Sequence, residues 1–120
     1  MKYALLIYAT PGASERPAAD VTQAWIDYAR ATRDAGVLVG AEQLRPTETA
    51  TSVSVRADGE RLLTDGPFAE TKEHLLGFFL VDVPDLDTAL DWAARMPNTA
   101  HGTTEVRAVQ TGRPWQAVLG

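Results

Sequence analysis

The apolar positions change period several times along the chain, and each change marks an element. Tyr3 to Ala9 is apolar on both alternating faces, a pattern that predicts a strand covered on both sides. Thr10 to Ala19 is rich in Pro, Gly and Ser and reads as a surface loop. The period then becomes helical. Val21, Trp25, Tyr28, Ala29 and Thr32 make one largely apolar stripe, with Asp20 as N-cap and Gln23 completing a capping box. Gly36 stands where a helix C′ glycine belongs.

Strand patterns follow. Val37 starts one that runs to Leu44 and is ended by Arg45-Pro46-Thr47. Thr51 to Arg56 alternates cleanly, Asp58-Gly59 is a strong hairpin signal, and Arg61 to Thr64 returns. Leu75 to Val83 is the most apolar strand, with Leu76, Phe78 and Leu80 on one face and Leu75, Phe79 and Val81 on the other. Pro84-Asp85 opens a second helix whose buried stripe is Leu86, Ala89, Leu90 and Ala93, and Pro97 closes it. Thr103 to Val109 is the last strand, and the tail 111–120 has no usable period.

With the Thr51–Thr64 hairpin set aside, the order is βαββαβ, the ferredoxin-like pattern of the α+β class. Both helices then lie on one face of an antiparallel sheet, and the other face is ordinarily wet and polar. Here the first strand and the strand from Leu75 are apolar on both faces, so the second face needs a cover. A second copy of the sheet, forming a homodimer, is the simplest cover. The alternative is that the hairpin or the tail folds over it.

Composition narrows the function classes. The 120 residues are one domain's worth, 1–120, and 45% hydrophobic with 22% charged residues is ordinary for a globular chain. There is no cysteine, which excludes disulfides, thiolate metal sites and a cysteine nucleophile, and fits a reducing cytoplasm. A net charge of −5 lacks both the basic footprint of a nucleic-acid binder and a polybasic membrane patch. No apolar run is long enough for a bilayer span or a signal peptide.

Two clusters carry candidate chemistry. In the first, Asp65 can accept backbone N–H bonds, Gly66 can take torsions closed to other residues, Pro67 stiffens the turn and Phe68 can anchor it. This loop would display Glu70, Lys72, Glu73 and His74. They read either as acid, base and cation near a pocket or as a solvated charge run after a structural turn, and spacing alone favours the second. In the other cluster, Glu105 and Arg107 share one strand face, opposite Val106 and Ala108, and would lie on the covered side. Such a pair is more often structural than a cavity wall.

With only His74 and His101, a three-histidine metal site is impossible within one chain, and no cofactor is implied. A Gly-rich phosphate loop, a Gly-x-Ser-x-Gly elbow and His-Glu-x-x-His are all absent.

The expected pocket lies between the Asp65–His74 loop and the covered sheet face. Tyr8 brings its hydroxyl to the mouth, Lys72 meets an anionic ligand, and Arg107 clamps a carboxylate or enolate. Glu105 is the candidate base and His101 a weaker one.

The run Thr64-Asp65-Gly66-Pro67-Phe68-Ala69-Glu70-Thr71-Lys72-Glu73 closely resembles the signature of the YCII-related proteins, in the subgroup named for its Asp-Gly-Pro-Phe motif. Met1 to Tyr8, Ala35-Gly36-Val37-Leu38, Val83 to Ala94, and His101-Gly102 with Glu105-Val106-Arg107 resemble other segments of that subgroup, so the likeness covers nearly the whole chain. The resemblance implies a ferredoxin-like fold that dimerises into an α/β barrel with a cleft as active site. It implies kinship with small isomerases and dehydrohalogenating enzymes acting on ring compounds. It also implies an association with extracytoplasmic-function sigma factors.

Two classes of function therefore stand side by side: an isomerase or lyase using proton transfer on a small cyclic or carbonyl compound, and a non-catalytic accessory protein serving a sigma factor. The sequence departs from the YCII branch proper, whose His–Asp pair lies in the first half, because no histidine precedes His74. It also has Arg107-Ala108 where the subgroup continues Arg-Pro.

Overall fold

A computed structural model describes residues 1–10, 18–67, 72–100, 102–112 and 114–119. Among these described residues six strands and three helices follow one another as β1 (Lys2–Ala9), α1 (Ala18–Asp34), β2 (Leu38–Gln43), β3 (Thr51–Val55), β4 (Arg61–Asp65), β5 (His74–Asp82), α2 (Leu86–Ala94), β6 (Gly102–Ala108) and α3 (Pro114–Leu119). Short 3-10 turns span Thr47–Thr49 and Pro97–Ala100. The main sheet has four antiparallel strands in the order β2-β5-β1-β6, and β3-β4 form a separate two-stranded sheet. This is an α+β architecture with the ferredoxin-like strand order once the hairpin is set aside.

The first strand shows how the pattern becomes layers. Tyr3, Leu5, Ile7 and Ala9 are buried and alternate with half-buried Ala4, Leu6 and Tyr8. The buried set meets Phe79 and Val81 from β5, Val83 just after it, and Tyr28, Ala89, Ala93 and Met96 from the helical side. Trp25 stacks on Phe79 at 6.1 Å between ring centres, and Tyr28 meets Phe79 edge-on at 5.1 Å. The Tyr28 hydroxyl donates to the Trp92 carbonyl at 2.7 Å, tying α1 to α2. Burial pushes the pKa of that phenol up, against the opposing charge of Arg95.

The helix ends follow local chemistry. Gly36 takes φ +74°. Its N–H donates to the Arg33 carbonyl and the Val37 N–H to the Thr32 carbonyl, a Schellman closure of α1. Asp85 caps α2 by accepting from the Thr88 N–H at 2.8 Å and hydroxyl at 2.7 Å.

Three local expectations are corrected. α1 begins at Ala18, so Asp20 lies in its first turn rather than at its cap, and Gln23 donates instead to Asp27 at 2.8 Å. Leu86 and Leu90 are 49% and 45% exposed, because α2 turns Ala89 and Ala93 to the core and Met96 fills the space after it. The pairing of β1 with β5 shifts between Ile7 and Tyr8, so Leu75 stands opposite Tyr8 on the face shared with Phe78. The tail, which had no periodicity, carries the short helix α3.

The principal dimensions are 49 × 41 × 20 Å. The shortest is about the depth of one sheet plus one helix layer of roughly 10 Å each. The radius of gyration, 16.5 Å, exceeds the roughly 13.6 Å expected of a compact 120-residue chain. The strands of the hairpin touch each other and little else, so the hairpin extends the slab instead of thickening it.

Candidate functional site

Cross-strand register sets out the face of the sheet opposite the helices as rows. One row reads Glu42, Phe78, Leu6, Glu105 across β2, β5, β1 and β6. The next reads Gly40, Leu80, Ala4, Arg107. A third reads Leu75, Tyr8, Thr103. The centre is therefore an apolar floor of half-buried Phe78, Leu6, Leu80 and Ala4. Its two edges carry Glu42 on one side and Glu105 with Arg107 on the other. Three inter-strand steps separate those edges, about 14 Å at ~4.8 Å per step.

Arg107 Nε lies 3.6 Å from Glu105 Oε2, and the two side chains are 72% and 46% exposed. An ion pair this open contributes under about 1 kcal/mol to the free chain. Arg107 remains able to turn its fork towards an anion lying on the floor. Thr103 is tied down by donating its hydroxyl to Glu73 Oε1 at 3.1 Å.

The Tyr8 corner is built by residues that spacing arguments passed over. Asn98 is 9% exposed, and its amide nitrogen donates to the carbonyls of Tyr8 at 3.3 Å and Thr103 at 3.1 Å. Gly102 permits the β1–β6 approach, since a Cβ there would meet the Tyr8 carbonyl and come within 2.8 Å of the Ala9 Cα. Glu42 was also passed over, because it became a site candidate only once register put it in line with Glu105.

The proposed residues thus fall into three groups. Tyr8, Glu105 and Arg107 share one face. Lys72 is exposed just before β5, at the sheet end that carries Tyr8 and Thr103. Asp65 is exposed at the end of β4, opposite Thr51, and is followed by Gly66 at φ +99° and exposed Pro67. Gly66 holds the loop by its backbone: its N–H donates to the Ala50 carbonyl at 2.7 Å and its carbonyl accepts from the Ser52 hydroxyl at 2.9 Å. His101 and Phe68, like Glu70, lie outside the described residues. Among the described residues no cluster of three or more His, Asp or Glu is placed to hold a metal ion. No helix among them is long and apolar enough to cross a membrane.

The model of the YCII-related domain matches residues 1–115. The chain belongs to the YCII-related family. An uncharacterised protein of Rhizobium meliloti is 45% identical over 83 residues, a match spanning 68% of this chain. It spans 66% of the relative, just under two thirds of its length. The family's description names no reaction.

Proposed function

We propose that this YCII-related chain acts as a cytoplasmic homodimer that binds a small cyclic or carbonyl compound between two facing sheets and moves a proton on it. The run from Thr64 to Glu73 supports assignment to the subgroup named for the Asp-Gly-Pro-Phe motif. The single observation that carries the reading is the sheet face that no described element covers, whose apolar centre is bounded by carboxylates and one guanidinium. Of the alternative covers, the hairpin strands and the tail helix α3 both make few contacts with the sheet. Two such faces stacked at about 10 Å would form an α/β barrel and exclude water from both floors.

In that cavity a flat apolar body rests on Phe78 and Leu6. Arg107 holds its carboxylate or enolate oxygen, and Glu105 accepts the proton. Tyr8 and Lys72 stand at the mouth, and His101 is a second candidate base. Enclosure strengthens these interactions, because exposed charges in water are screened and enclosed ones are not.

The test has two parts. Sedimentation equilibrium at micromolar concentration should give twice the 13.0 kDa chain mass. Proton NMR in deuterium oxide should show deuterium entering enolisable ring ketones faster with the protein than with buffer, and Glu105→Gln should abolish the excess. A monomer would refute the enclosed site. A dimer with no exchange and no binding of small ring carboxylates sensitive to Arg107→Ala would refute the small-molecule reading and favour the accessory role beside a sigma factor.

A further inference from the structure

The hairpin presents an apolar face of its own. Val53 pairs with Leu63 and Val55 with Arg61, which places Val53, Val55 and Leu63 on one side. They are 60%, 63% and 63% exposed. A two-stranded hairpin is marginal in water unless something packs on it. This one is fixed at its base through Gly66, Ala50 and Ser52, but among the described residues its strands pack on no other element to any extent.

The accessible surface gives a scale for what is missing. It amounts to 8590 Å². A monomeric protein of this mass exposes roughly 6,300 Å². The surplus, on the order of 2,000 Å², matches what each partner of a large obligate dimer conceals. Four strands at ~4.8 Å spacing and about 7 residues of ~3.3 Å each give the sheet face a footprint of roughly 450 Å². Even doubled for side-chain relief, that footprint leaves a large part of the surplus unexplained. The exposed apolar hairpin face contributes to the remainder, together with exposed Trp115, Val118 and Leu119 of α3.

We infer that the hairpin is an exchange arm: in a dimer of this chain, the Val53, Val55 and Leu63 face of each copy packs on the other copy, beyond the stacked sheets. This rests on the homodimer reading above and adds a second, separable contact to it. The insertion point fits the role. The hairpin lies between β2 and β5, which are antiparallel hydrogen-bonded neighbours, so a short turn in place of segment 45–72 would be enough to close that connection. A two-fold axis makes the contact reciprocal, so one substitution is felt twice.

The test uses the full chain with Val53→Lys and Leu63→Glu combined. The two charges stand opposite each other and preserve the hairpin through a cross-strand pair, while its outer face becomes polar. Sedimentation equilibrium should show the dimer dissociation constant raised about a hundredfold. Hydrogen exchange on the unaltered protein gives an independent reading. Amides of β3 and β4 should lose at least about tenfold protection when the protein is diluted below that constant, because an undocked hairpin opens freely. A dimer whose dissociation constant and hairpin exchange are both unchanged overturns the arm and leaves the sheet-mediated dimer standing. An unaltered chain that sediments as a monomer overturns both.

Discussion

Asn98→Ala is expected to destabilise the protein by about 2–3 kcal/mol, given two neutral hydrogen bonds to carbonyls at about 1 kcal/mol each and a further one to the Thr104 hydroxyl. The carbonyl bonds run from a 9% exposed side chain to Tyr8 and Thr103, at the corner where β1 meets β6. Unfolding entropy near 2.1 cal/mol/K per residue gives a 120-residue chain about 0.25 kcal/mol/K, so 2 kcal/mol lowers Tm by roughly 8 °C. Thermal unfolding followed by circular dichroism at one fixed protein concentration reads this directly.

Asn98→Asp sharpens the test. At pH 7 the introduced carboxylate faces two carbonyls and can donate to neither, so the loss should exceed that of Asn98→Ala. The folded protein favours the protonated acid there, which raises its pKa above the unfolded value. The stability it gives is full below about pH 4 and is lost as pH rises through the folded pKa. A Tm drop under about 2 °C for Asn98→Ala, or an Asn98→Asp deficit that does not shrink in acid, would show that the Asn98 bonds do not hold the corner.

Tyr28→Phe should cost about 1 kcal/mol at neutral pH by removing the 2.7 Å bond to the Trp92 carbonyl. Because burial raises this phenol's pKa, its contribution is full below the unfolded value of 10.0 and falls above it, so urea titrations should show the gap between variant and parent closing on the alkaline side. Gly102→Ala should lose about 1–3 kcal/mol in the same assay, since the added methyl strikes backbone at Tyr8 and Ala9. Asp85→Asn should flatten the acid limb of a Tm-against-pH curve. Bonds from the Thr88 hydroxyl and N–H hold this carboxyl below the usual range, so the stability it gives is present above that range and lost as pH falls through the folded pKa.

Much of the fold was legible because its strands alternate and its turns are punctuated. The Asp58-Gly59 hairpin and the Gly36 helix exit are local signals, and both stand where the pattern put them. The misplacements came from packing. Leu86 and Leu90 suit a buried stripe by spacing, but α2 sits close to β6 and β1 through small Ala89 and Ala93, which tilts the leucines outward. The shift beside Tyr8 depends on how two strands meet, which neither strand shows alone.

The site was half legible for the same reason. Glu105 and Arg107 share a face by simple alternation. Glu42 joins them only through a register crossing four strands, and Asn98 acts through an amide that bridges the nearby Thr103 carbonyl to the Tyr8 carbonyl, distant in sequence.

The position of β1 at the centre of the sheet sets an order for events during synthesis. Its neighbours are residues 74–82 and 102–108, both from the later part of the chain. The most apolar early segment therefore leaves the ribosome long before either partner strand exists, with both edges unpaired and both faces exposed. The β3–β4 hairpin, whose pairing is wholly local, can close in that interval; the four-stranded sheet cannot. Nascent chains arrested before His74 should accordingly be aggregation-prone and need a holding chaperone, and solubility should recover once β5 has emerged.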